Sequence, residues 1–178
     1  FGSLHAKKNT TIDCGNSGTL ARLLTGILST TPEIEVNIKG DKSLNKRNMS
    51  KLINLMNEFG AEFFPKNKKN FPLKIVSSEM PVGVNYRSGV SAQLKSAVIL
   101  AGLNSYGTTT IIEEKESRNH TENIFLKTSK VLRIKKNIIK VSGRGYSKAL
   151  KLTVPNDPSS ASFFINGTRL RGIAVFIP

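Results

Sequence analysis

The chain is 178 residues long and 38% hydrophobic, and its 27 Lys and Arg against 12 Asp and Glu give a formal charge of +15. That size suits one good core or two small ones, burying roughly 70% of the unfolded surface, and the charge suits an anionic partner: nucleic acid, an acidic membrane or a phosphorylated metabolite. One cysteine, Cys14, excludes an intrachain disulfide and a cysteine-based metal site, His5 and His120 lack ligand company, and no apolar run nears the ~20 residues of a membrane span.

The lysines are spread along the chain among many Asn and Ile, so a solvated basic surface explains the charge as well as a binding patch does. No signal peptide is visible, although the chain begins with Phe1.

In chain order, "SGTLARLLTGILS" (17–29) sets Leu20, Leu23, Leu24, Ile27 and Leu28 at helical spacing. "EIEVNIKG" alternates and ends in glycine, a strand pattern. "KRNMSKLINLMNEFG" places Met49, Leu52, Ile53, Met56 and Phe59 on one helical face and stops at Gly60. "AEFFP" and "FPLKIVSS" follow as short strands around the polar loop "KNKKN".

The order then returns. "VGVNYR" predicts a strand, "SAQLKSAVILAGL" a helix, "GTTTIIEE" a strand and "HTENIFLKTSKVL" a helix. "NIIKVSG" and "ALKLTVP" predict two more strands, and a third such helix opens at "DPSSASFFI". Asn16, Ser91 and Ser159 stand at equivalent places, about 70 residues apart, each before an apolar helix. The fold class is therefore α/β (α+β), built of repeated βαβαββ units.

The helix starts are the candidate sites. A helix N-terminus has unpaired N–H groups and about half a positive charge, and small residues let an anion approach them. In "GNSGT", Gly15 and Gly18 remove bulk, Asn16 or Ser17 can cap, and Thr19 adds a hydroxyl. Arg22 lies three residues after Thr19 and can hold a carboxylate or phosphate by its planar fork. A plain cap explains the same residues. The P-loop pattern is absent.

"GDKSLNKRNM" has Asp41 and Ser43 as turn and cap residues, with Lys46 and Arg47 in a first helical turn, where cations oppose the dipole unless an anion compensates. In "SGVSAQLK", Gln93 offers both donor and acceptor. In "EKESRNHTEN", Ser117 and Arg118 lie in a loop and Thr121 can cap the next helix. For each of these, capping and ligand binding are both open.

Taken together and in register, "DCGNSGTLARLL", "GDKSLNKRNM", "VSAQLKSAVILAGL", "ESRNHTENI" and "VPNDPSSASFF" resemble the 5-enolpyruvylshikimate-3-phosphate synthases. The resemblance runs to about Phe164. It implies two domains of three βαβαββ units each. On that basis residues 1–155 would be a partial first domain, with units at about 12–80 and 81–155. Residues 156–178 would begin the second domain or form a divergent tail.

The resemblance also implies a reaction without metal or organic cofactor. The enolpyruvyl group of phosphoenolpyruvate passes to the 5-hydroxyl of shikimate-3-phosphate through a tetrahedral intermediate, with release of phosphate. Carried over residue by residue, Asn16, Gly18, Arg22, Arg47 and Gln93 match the phosphoenolpyruvate pocket. Ser91, Ala92, Gln93, Ser117 and Arg118 match the shikimate-3-phosphate site. Ala92 stands where many members carry serine, and Asn48 replaces a common proline, which loosens the helix start. His120 receives no role.

The family's early Lys-Ser and Arg motif is expected before Phe1, and its acid/base Asp, Lys and Glu after the "DPSSASFF" helix. The chain thus reads as an internal fragment of a cytoplasmic, monomeric bacterial enzyme, inactive alone, with no membrane or nucleic-acid partner. "INGTRLRGIAVFIP" does not align. Gly18 leaves room for glyphosate, the family's phosphoenolpyruvate-mimicking inhibitor, and implies a sensitive enzyme.

Three rivals stand beside this reading. One is the sister enzyme acting on UDP-N-acetylglucosamine, which uses a loop cysteine as acid, whereas Cys14 sits in a strand-like context. Another is a basic RNA-binding or terminal-phosphate-cyclase-like module, against which the chain has no Trp and no aromatic residues interleaved with its basic ones. The third is a non-catalytic remnant that keeps the fold.

Overall fold

The computed structural model describes residues 10–145. The first set of elements is β1 (Thr10–Asp13), α1 (Gly18–Thr30), β2 (Glu35–Lys39), α2 (Ser50–Glu58), β3 (Glu62–Phe64) and β4 (Leu73–Val76). The second is β5 (Asn85–Ser88), α3 (Ala92–Asn104), β6 (Thr108–Glu113), α4 (His120–Thr128), β7 (Leu132–Lys135) and β8 (Ile138–Ser142). The order βαβαββ occurs twice, as the periodicity predicts. Each set forms its own four-stranded sheet, with the matching orders β1-β2-β4-β3 and β5-β6-β8-β7.

In each sheet the first two strands are parallel and the remaining pairs antiparallel. A parallel pair needs a crossover, and α1 and α3 supply it. The parallel strands also end on the same edge of their sheet. The loops after β1 and β2 therefore meet, with Asp41 N donating to Gly15 O at 2.8 Å. A Cβ on Gly40 would lie 2.7 Å from that same carbonyl, so the close approach requires glycine there.

The core alternates as a half-buried sheet should. Val36, Ile38, Phe63, Leu73 and Ile75 are buried, with more exposed residues between them. All five apolar residues expected on the second helix, Met49, Leu52, Ile53, Met56 and Phe59, are buried. Each such side chain contributes about 1.5–3 kcal/mol. Gly60 follows with φ +93°, the conformation that stops the helix.

Two sequence expectations fail on the helices. In α1 the leucine stripe is not the buried face: Leu20 is 46% exposed and Leu23, Leu24 and Ile27 are half-buried. Of the stripe only Leu28 is buried, and Ala21, Thr25, Gly26 and Ser29 face inward beside it. The reason is α3, which is buried nearly all round and approaches α1 through small residues. A Cβ on Gly26 would stand 2.5 Å from the Ala97 carbonyl oxygen.

The fourth predicted helix runs too long. α4 stops at Thr128, and "LRIK" forms β7, paired with β8 across the two residues Lys136 and Asn137. Lys136 takes φ +54° in that turn. Val131 and Leu132 are buried, and Leu132 pairs with Val141 in the sheet, a partner that the helical spacing could not show. The predicted strand "ALKLTVP", the helix at "DPSSASFFI" with Ser159, and the tail 156–178 lie outside the described residues.

Contacts between α1 and α3 keep nearly the same offset, 71 to 74 residues, from one end to the other. Gln93 Nε2 donates to Thr19 Oγ1 at 2.7 Å, 74 residues away. At the other end Asn104 Nδ2 donates to Thr31 Oγ1 at 3.2 Å, 73 residues away. A nearly constant offset means parallel helices, so both N-termini open at the same end.

Candidate functional site

Ser17 and Ser91 are the equivalent caps. Ser17 Oγ accepts from Leu20 N at 3.1 Å, and Ser91 Oγ from Leu94 N at 3.4 Å. Of the two expected candidates, Asn16 and Ser17, it is Ser17 that caps, and Asn16 does other work. Its Nδ2 donates to Asp41 Oδ2 at 2.6 Å, and its Oδ1 accepts from Arg47 Nη2 at 2.9 Å. Asn16 is thereby the tie between the loop after β1 and the loop after β2.

Arg47 is not in a helical first turn. Residues 44–46 make a 3₁₀ turn capped by Asp41 Oδ1, which accepts from Leu44 N at 2.7 Å. Arg47 follows in extended backbone (φ −70°, ψ 136°), outside any first turn of α2, and its side chain turns back toward the N-terminus of α1. α2 begins later, at Ser50, and Asn48 holds that start rather than loosening it. Its Oδ1 accepts from Ser50 N at 2.8 Å. Thr121 is likewise no cap: it lies inside α4, with its hydroxyl 2.8 Å from Ser96 Oγ.

Gly18 is where the arginines meet. A Cβ there would lie 2.7 Å from Arg22 Nη1 and 2.7 Å from Arg47 Nη1. Arg22 Nη1 also donates to its own helix at Gly18 O (3.1 Å) and across to Gln93 Oε1 (2.9 Å). Among the described residues neither guanidinium has a carboxylate within ion-pair distance. Burial, and then the Arg47 charge, hold Arg22 below the ordinary arginine range. Two guanidinium groups thus crowd a helix N-terminus, and an anion between them would relieve the repulsion.

The carboxyl of Asp41 lies below its usual range because of the Leu44 N–H first and the Asn16 amide next. Asp13 is lowered by the Gly15 N–H and then by Lys39. Both are exposed and structural. Cys14 is buried, and burial followed by the Asp13 charge pushes its thiol up. A thiol held that way is poorly placed to act as a loop acid.

On the other side of Gln93 lies a cleft of about 480 Å³. Ser91, Ala92, Gln93, Ser117 and Arg118 all line it, together with Thr19, Leu23, Ser96, His120 and Thr121. The structure therefore gathers the nine predicted positions into two neighbouring clusters that share Gln93. His120, left without a role above, faces the cleft. Its signal was the spacing: it opens α4 just after the Ser117–Arg118 loop. Among the described residues no group of three His, Cys, Asp or Glu could hold a metal ion, and no helix is long and apolar enough to cross a membrane.

The sequence profile described as EPSP synthase (3-phosphoshikimate 1-carboxyvinyltransferase) matches residues 1–178. The chain belongs to the EPSP synthase family. A 3-phosphoshikimate 1-carboxyvinyltransferase of Paracoccus denitrificans is 41% identical over 157 residues, covering 85% of this chain and 35% of that protein. One from Thermodesulfovibrio yellowstonii is 39% identical over 171 residues, covering 94% and 40%.

The solved EPSP synthase of Acinetobacter baumannii superposes with a TM-score of 0.78 at 34% identity, over 89% of this chain and 36% of that one. The enolpyruvyl transferase NikO from Streptomyces tendae shares the fold at a TM-score of 0.52 and 12% identity. The chain thus has the enolpyruvyl transferase fold and spans 35–40% of the length of the EPSP synthase relatives it matches.

Proposed function

We propose that this chain forms one wall of an enzyme that transfers the enolpyruvyl group of phosphoenolpyruvate to the 5-hydroxyl of shikimate-3-phosphate, releasing phosphate. The observation that carries the reading is the convergence of Arg22 and Arg47 on Gly18, with no carboxylate partner among the described residues. Asn16, Gly18, Arg22, Arg47 and Gln93 would hold phosphoenolpyruvate, whose carboxylate and phosphate both suit planar guanidinium donors. Ser91, Ala92, Gln93, Ser117 and Arg118 would hold shikimate-3-phosphate in the adjoining cleft, with Ala92 contributing backbone only.

Gln93 fixes the two ligands side by side. Its Oε1 accepts from Arg22 and its Nε2 donates to Thr19, so the amide is oriented before any ligand arrives. One amide hydrogen and one lone pair remain for ligands. Contact between the reactants lowers the barrier by proximity, and the fixed cations stabilise the charge of the tetrahedral intermediate. The groups that move protons would come from the part of the family's length that this chain does not span. On this reading the whole enzyme is a cytoplasmic monomer with no metal or organic cofactor.

The buried Cys14 argues against the UDP-sugar alternative, which needs a mobile acid cysteine. The test is backbone NMR of the 178-residue chain titrated with shikimate-3-phosphate and then phosphoenolpyruvate. Shifts centred on Ser91, Gln93 and Ser117 for the first, and on Gly18 for the second, are the expected result. A folded spectrum that responds to a UDP-sugar, and to neither shikimate-pathway ligand, would reverse the assignment.

A further inference from the structure

Behind the cleft lies a buried ion cluster that the proposed site residues do not include. Lys95, on α3, is completely buried. Its Nζ is 2.7 Å from Glu113 Oε1 and 2.5 Å from Glu122 Oε1. Glu122 is also buried, and its Oε2 has no hydrogen-bond partner among the described residues. One ammonium thus serves two carboxylates, from the end of β6 and the first turn of α4. Burying an ammonium and a carboxylate, with a second carboxylate half-buried beside them, is unfavourable unless they are mutually satisfied, and their retention here has to be explained.

The cluster reaches the cleft by one hydrogen bond. Ser117, which lines the cleft, donates its hydroxyl to Glu113 Oε1 at 3.3 Å. Ser96 and Thr121, the chain neighbours of Lys95 and Glu122, join hydroxyls on the cleft wall. A phosphoryl group offers acceptors only, so Ser117 must turn its single O–H away from Glu113 to bind one. Glu113 then keeps a donor only because Lys95 is there. Without that ammonium, the carboxylate would retain the Ser117 proton and set its own charge one hydrogen bond from the phosphoryl group.

We infer that Lys95 is a positioning residue for phosphoryl recognition: by holding Glu113 and Glu122 and offsetting part of their charge it frees the Ser117 hydroxyl for the ligand. The inference rests on the proposed shikimate-3-phosphate site. It assigns Lys95 no contact with substrate. Its effect is specific to ligands that carry the phosphoryl group, because a ligand without one does not need the Ser117 proton. A purely structural lysine would affect all ligands of the cleft alike.

The experiment compares dissociation constants of shikimate-3-phosphate and shikimate, by calorimetry, in the whole protein. Lys95→Met should weaken shikimate-3-phosphate by about tenfold or more, the size of one hydrogen bond to a charged group, and leave shikimate nearly unchanged. Adding Glu113→Gln and Glu122→Gln removes the carboxylates and should restore the preference for the phosphorylated ligand. That combined variant also stands in if Lys95→Met alone does not fold. Equal weakening of both ligands in Lys95→Met, or a combined variant that folds without the preference, overturns the inference. An unmodified protein with no preference for shikimate-3-phosphate would instead overturn the proposed site, and the inference with it.

Discussion

Gly18 is the residue on which the proposed site is built, and the role proposed for it is clearance. Because a Cβ there meets only the far ends of Arg22 and Arg47, Gly18→Ala should fold normally, within about 1 kcal/mol of the parent in urea unfolding. The arginines must shift instead. Phosphoenolpyruvate affinity in the whole protein should fall by about tenfold, on the order of one charge-assisted hydrogen bond, and the glyphosate inhibition constant should rise with it. Unchanged constants for both would show that the anion does not sit between the guanidiniums.

Asp41 makes a second residue-scale test. Its folded pKa is depressed, so its contribution is present above the unfolded value of about 3.9 and fades as pH falls through the lower folded value. Stability measured from pH 6 downward should therefore drop less steeply in Asp41→Asn, which removes that titration. An identical acid limb would show that the carboxylate is not held by Leu44 N–H and Asn16.

At the scale of elements, the parallel packing of α1 on α3 sets the site. Gly26 is the contact point, with no room for a methyl group against the Ala97 carbonyl. That neighbour is backbone and cannot swing aside, unlike the arginines at Gly18. Gly26→Val should cost about 1–3 kcal/mol or more from overpacking, measured by denaturant unfolding. It should also weaken both ligands, because splaying the helices separates Gln93 from Thr19 and Arg22. Stability and binding both intact would mean that α1 and α3 are not so close in solution.

At the scale of the molecule, two copies of one βαβαββ plan place four loop segments and two helix ends on one side. Arg22, Arg47 and Arg118 then line neighbouring clusters, but no candidate acid or base stands among the residues assigned to them. The 178-residue chain alone, given both substrates, should release no phosphate above background in a coupled assay. Turnover by the isolated chain would mean that the proton-transferring groups lie within it.

Much of this was legible in the chain itself. The doubled order of elements, the buried face of α2 and the two capped helix starts follow from short-range spacing, because caps and faces are decided within a turn or two. The candidate positions were legible through five motifs in register, which single spacings could not have supplied. What the tertiary structure alone decided depends on contacts beyond the reach of a local pattern, up to 74 residues apart between α1 and α3. It turned α1 on its small-residue face because α3 needed that room, and it ended α4 early because Leu132–Lys135 paired with β8. It drew Arg47 back to Gly18 through Asn16, and set Lys95 between two glutamates behind the cleft. Local pattern records which residues a helix can present. Only packing determines what they meet.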